Sequence, residues 1–107
     1  MKPVRVHSKV DKEIVELDVT TRFEITEAFL LLGKGESLEM PLSRPMPIIV
    51  HGTHELRFKD AQGIYRIFYY TKVKDAILVF HFFKKKTQET PAKEIDTARR
   101  RLKEMLE

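Results

Sequence analysis

Residues 53–83, THELRFKDAQGIYRIFYYTKVKDAILVFHFF, decide how the rest of the chain folds. Three strand patterns follow one another: Thr53–Lys59, then IYRIFYYTK after a turn through Asp60 to Gly63, then AILVFHFF after a turn near Lys74 and Asp75. Strands joined by such short turns can only run antiparallel, so a three-stranded meander is expected.

Side chains alternate across a strand, which divides each one into two faces. In the first, Leu56 and Phe58 share a parity opposite to Glu55, Arg57 and Lys59. In the second, Tyr65, Ile67 and Tyr69 oppose Ile64, Arg66, Phe68 and Tyr70, and the cost of burying a guanidinium assigns the Arg66 set to an open face. In the third, Leu78, Phe80 and Phe82 form an unbroken apolar set, which leaves Ile77, Val79, His81 and Phe83 on the open face. That face then carries Arg57, Lys59, Arg66, His81 and the start of Lys84–Lys86, interleaved with Phe68, Tyr70 and Phe83. Cations of this kind pair with phosphates, and the rings can stack on bases.

Outward from the meander, KPVRV at residues 2–6 reads as a short strand. Ser8 with Asp11 opens a helix over 9–18, carrying Val10, Ile14 and Leu17 on one face. Thr21 with Glu24 opens a second, with Ile25, Ala28, Phe29 and Leu32 as its stripe and Gly33 as its stop, giving a helical hairpin. The stretch from Gly33 to Gly52 holds Pro41, Pro45 and Pro47 and reads as a long connection. Its GKGES lacks the glycine spacing and the Gly-Lys-Ser/Thr ending of a phosphate loop. After the meander, Thr90 and Pro91 begin a last helix with Ile95, Ala98, Leu102 and Met105 at helical spacing.

The length of 107 residues suits one domain over 1–107, and 42% hydrophobic with 34% charged residues describes a globular chain. No apolar run is long enough to cross a membrane, and MKPVRVHSKV has no signal-like apolar stretch, so no membrane association and a cytoplasmic location are expected. There is no cysteine, and His7, His51, His54 and His81 are not spaced as metal ligands, so neither disulfides nor a metal or other cofactor is expected. The net charge is +4, and residues 51–88 carry the whole excess, with eight Lys and Arg against three acids. A polyanionic partner such as nucleic acid fits that distribution.

Each of these features also has a plainer reading. Arg57 or Arg66 alone is an ordinary sheet-surface residue, and Lys84–Lys86 alone are a charged guard against aggregation. His81 alone fits a hydrogen-bonded structural histidine, and Phe68, Tyr70 and Phe83 fit a second core as well as a stacking surface. Their coincidence on one face favours a site.

GESLEMPLSRPMP, HELRFKD, GIYRIFYY and FHFFKKKTQETPAKEIDTARRRL, in that order, resemble the phage-derived HigB-like toxins of the RelE/ParE superfamily. The resemblance implies an α+β fold with helices on one face of a four-stranded sheet, the N-terminal strand at its edge. It further implies a type II toxin that cleaves mRNA on the ribosome without a metal and is held inactive by a helix-turn-helix antitoxin. Arg66 falls on the basic position of the central strand that contacts the scissile phosphate in such toxins, Arg57 on a basic position of the preceding strand, and Lys84, Lys85 and Lys86 on a basic loop. Thr87 and Gln88 stand where a tyrosine follows that loop in RelE, which leaves His81 and His54 as alternative acid–base groups.

RNA cleavage requires a base for the 2′-hydroxyl, cations for the charge that develops on phosphate, and an acid for the 5′-oxygen. Arg66 with Arg57 or a cluster lysine meets the second need; His81 or a lysine with lowered pKa meets the first. The expected substrate contacts are His54, Lys59, Phe68, Tyr70, Phe83 and Gln88. Two alternatives remain open: a gyrase-directed toxin of the ParE type, and an RNA-binding module without catalysis.

Overall fold

The computed structural model describes all residues, 1–107. Its elements run β1 (Val4–Val6), α1 (Ser8–Ile14), α2 (Val19–Gly33), β2 (Ser43–Pro45), β3 (Thr53–Asp60), β4 (Gly63–Tyr70), β5 (Ile77–Lys85) and α3 (Ala92–Leu106). They form one five-stranded mixed sheet in the order β1-β5-β4-β3-β2, with β1 parallel to β5 and every other pair antiparallel. The α+β class and the meander are as expected. The fifth strand is not: Ser43–Pro45 pairs with β3 inside the proline-rich connection. Proline is tolerated there because an edge strand has one side with no ladder to donate to.

The β3–β4 turn is held by one carboxylate. Asp60 Oδ1 accepts from the backbone N–H of Gln62 at 2.8 Å and of Gly63 at 3.1 Å, and from the Tyr65 hydroxyl at 2.9 Å. Its other oxygen accepts from the Thr21 hydroxyl at 2.9 Å, tying the first turn of α2 to the hairpin. Helix α2 begins earlier than the Thr21 pattern suggests, because Asp18 is the cap and accepts from the Thr21 N–H at 2.8 Å. Helix α1 correspondingly stops at Ile14 rather than reaching residue 18.

The sheet is covered on both sides, which corrects the expectation of helices on one face. Val10, Ile14, Ile25, Ala28 and Leu32 of α1 and α2 pack on Leu56, Phe58, Tyr65, Ile67, Tyr69, Ile77, Val79 and Phe82. On the opposite face Ala98 and Leu102 of α3, with Met46 and Ile49 of the β2–β3 connection, pack on Phe68, Leu78, Phe80 and Phe83. The physical reason lies in β5, where every residue from Ile77 to Phe83 is buried. A strand apolar on both faces needs cover on both, and the amphipathic α3 supplies the second.

The pairing of β5 also changes phase partway along. Phe68 is opposite His81 but Tyr69 is opposite Val79, so Phe80 is an unpaired bulge residue. Beyond it the alternation inverts: Ile77 and Val79 face the helical hairpin, while Leu78 and Phe80 join His81 and Phe83 under α3. The uniform parity assigned to this strand therefore holds only for its second half. No helix is long and apolar enough to cross a membrane.

Candidate functional site

Strands β2 to β5 each contribute a charged residue to one face of the sheet. Arg57 is directly opposite Arg66, Arg44 is directly opposite Glu55, and Lys85 lies two residues beyond Phe83, the partner of Arg66. Glu55 and Arg57 share a parity on β3, so the carboxylate sits on the same face as the arginines. It is fully buried, and Arg66 is 6% exposed.

The Glu55 carboxylate lies between two guanidinium groups. Arg44 Nε donates to Oε1 at 3.0 Å, and Arg66 Nε stands 3.6 Å from the same oxygen, close enough to pair but too far for a hydrogen bond. Arg66 also donates from Nη1 to the Tyr65 carbonyl at 3.1 Å. Glu55 Oε2, Arg66 Nε and Arg57 Nε are buried with no hydrogen-bond partner. Buried polar atoms are normally satisfied by protein or by ordered water, so the protein leaves hydrogen-bonding capacity unused on this face.

A groove of about 430 Å³ opens here, lined by Arg57, Ile64, Arg66, Lys85, Lys86, Thr87 and Gln88. A second of about 510 Å³ adjoins it through Arg57, Ile64 and Arg66 and extends past Pro41, Leu42 and Lys59. Burial lowers the Arg66 pKa, Glu55 pulls it back up, and Arg57 and Arg44 lower it again; a guanidinium stays charged through all of this. The Lys85 pKa is lowered by burial first and then by Arg66, with Arg44 and Arg57 adding to the effect and Glu55 opposing it. Lysine tolerates such shifts far better than arginine, which suits it to proton transfer.

Lys59, Lys86 and Gln88 line these grooves as expected, whereas the structure separates the remaining expected residues from the group. Lys84 points to the hairpin face, where its side chain closes over Gly63. His54 is also on that face, stacked on Tyr69 with ring centroids 5.3 Å apart, and burial followed by the Lys72 charge lowers its pKa. Phe68 and Phe83 are buried in the α3 core, and Tyr70 is half-buried against it, so these rings form no open stacking surface.

His81 lies under α3 and borders a different cavity, which wraps the end of β5 and is lined from the hairpin side by Glu13 and Lys84 and from the α3 side by Glu94 and Arg101. Arg101 Nη1 donates to its Nδ1 at 3.0 Å; arginine has no acceptor, so Nδ1 carries the lone pair and Nε2–H donates to Glu94 at 2.8 Å. Burial lowers the His81 pKa, the Glu94 hydrogen bond raises it, and Arg101 lowers it. No three His, Asp or Glu side chains come together in a way that could hold a metal ion.

Two members of the group were missed in the sequence, Arg44 and Glu55. Arg44 sits between prolines in what reads as a loop, and only the β2 pairing brings it in. Glu55 was visible as the one acid on the charged parity of β3, a departure that marks it in retrospect.

A family model described as phage derived protein Gp49-like (DUF891) matches residues 12–103, a span that takes in β2 to β5 and every charged residue of the group. No curated protein matches the chain. With most of its length matched, the chain belongs to the Gp49-like family of phage-derived proteins, a membership broadly consistent with the toxin of a toxin–antitoxin pair.

Proposed function

We propose that this protein is a RelE- or HigB-like toxin that cleaves mRNA on the ribosome, at the groove between Arg57, Arg66 and Lys85. The observation that carries the reading is the Arg57–Arg66 pair, in register on adjacent strands and lining both grooves, with Lys85 in one of them. Like charges directly opposite each other destabilise a sheet, and an anion bridging them reverses the sign of that contribution. A phosphodiester meets the need with two non-bridging oxygens.

In the proposed reaction a base removes the 2′-hydroxyl proton and O2′ attacks phosphorus. The P–O5′ bond breaks and the departing oxygen takes a proton, leaving a cyclic phosphate and a 5′-hydroxyl. Arg66 and Arg57 stabilise the charge that builds on the non-bridging oxygens. Lys85 is the proton-transfer group, since its pKa is lowered and it lines the same groove. His81 is left with its Glu94 and Arg101 partners as a structural residue. A helix-turn-helix antitoxin is the partner that restrains the toxin.

The test is controlled expression of the protein and of Arg66→Ala, followed by growth measurement and primer-extension mapping of mRNA 5′ ends. Discrete cuts within reading frames, lost in the variant, are expected. DNA breaks without mRNA cuts would move the target to gyrase, and RNA binding without cuts would leave a binding module.

A further inference from the structure

We infer that Glu55 is a positioning residue: its buried carboxylate sets the orientation of Arg66, and of Arg44 beside it, for the phosphate. This rests on the reading of the groove as a phosphate site and extends it to a residue that touches no substrate. Glu55 is fully buried on β3, with Arg44 at 3.0 Å and Arg66 at 3.6 Å from one oxygen and the other oxygen unpartnered.

An acid is an unexpected occupant of a site for a polyanion, because its charge opposes the ligand. Without it, however, Arg44, Arg57, Arg66 and Lys85 would repel one another across four strands, and the long Arg66 side chain would swing away from Arg57. The Tyr65 carbonyl fixes one nitrogen of Arg66, and the Glu55 carboxylate attracts the guanidinium from 3.6 Å at Nε, so the two together hold it on the side of Glu55. A preoriented fork loses less on binding and meets two phosphate oxygens at once. Glu55 therefore trades anion affinity for orientation.

That trade gives opposite signs in two measurements. Glu55→Gln, close to isosteric, should bind a short labelled single-stranded RNA more tightly by fluorescence anisotropy, because one negative charge has gone. Its single-turnover cut rate on mRNA-programmed ribosomes should fall by on the order of 100-fold, as for a reacting group displaced by about 1 Å. An undiminished cut rate overturns the inference. A joint loss of affinity, rate and urea stability also overturns it, assigning Glu55 to structure alone.

Should Glu55→Gln fail to fold, Glu55→Asp keeps the charge with a shorter reach. It should fold, bind RNA as the parent does and cut on the order of 100-fold more slowly; full activity, or failure to fold as well, overturns the inference. Arg66→Ala separates the two levels. If it still cuts mRNA, the phosphate-site reading itself falls; if it is inactive while Glu55→Gln is fully active, only the role of Glu55 falls.

Discussion

Arg57 and Arg66 are cross-strand partners, a like-charged pair held in register at the centre of a sheet face. Unliganded, the pair works against folding, so relieving it should stabilise the protein while it abolishes function. Arg57→Gln is expected to gain roughly 0.2–1 kcal/mol in urea unfolding and to lose mRNA cleavage. Equal or lower stability would show that the two guanidiniums do not repel appreciably.

An anion bridging the pair should act like any ligand of the native state. Inorganic phosphate is expected to raise the thermal midpoint of the parent protein, by about 2.7 kcal/mol of stabilisation at one hundred times its dissociation constant. Arg57→Gln and Arg66→Gln should show much less. A chloride series at matched ionic strength separates a bound anion from general screening.

His81 makes stability depend on pH, and the sign follows from its lowered pKa. Between the folded value and the unfolded value near 6.5 the unfolded chain holds more protons, so stability is complete above that range and is lost as pH falls through it. His54 contributes in the same direction, while Glu13, whose pKa burial raises, contributes with the opposite sign. Urea unfolding of the parent should weaken from pH 7 to pH 5 by no more than roughly 1.4 kcal/mol per pH unit from His81. His81→Gln should flatten that slope, and an unchanged slope would place the titration elsewhere.

Phe68 distinguishes a core from a stacking platform. Its ring sits within 5.6 to 6.2 Å of Phe80, His81 and Phe83 and is fully buried. Phe68→Leu should cost stability, on the order of 1 kcal/mol as for a near volume-conserving change, and leave mRNA cleavage by the folded protein intact. A specific loss of RNA affinity in a fully folded variant would restore the stacking role.

Much of this was legible in strand alternation. The parity of β3 and β4 placed Arg57 and Arg66 together because a strand with one charged and one apolar set has only one stable orientation. β5 gave no such handle: it is apolar on both faces, and a bulge at Phe80 leaves no compositional mark when the residues on either side are Val79 and His81. The resemblance implied helices on one face only, and nothing in the sequence opposed it, since an open side carrying Phe68 and Phe83 looks the same whether a helix or a base is to cover it. Edge strand β2 was hidden for another reason. Three residues ending in proline carry almost no strand signal, and their pairing is set by β3 rather than by their own sequence.

Sheet order finally bears on the sequence of events by which the chain folds. Val4 pairs with Ile77, so β1 finds its strand partner only after both helices of the hairpin and strands β2 to β4 have been made. Pairing across so long a sequence separation closes slowly compared with the local β3–β4–β5 meander. The meander that carries Arg57, Arg66 and Lys85 is thus set to form ahead of the β1 edge and the hairpin docked beside it. Assembly of the face that carries the paired arginines and completion of the sheet are then separate events in time, although the finished structure joins them in one hydrogen-bonded ladder.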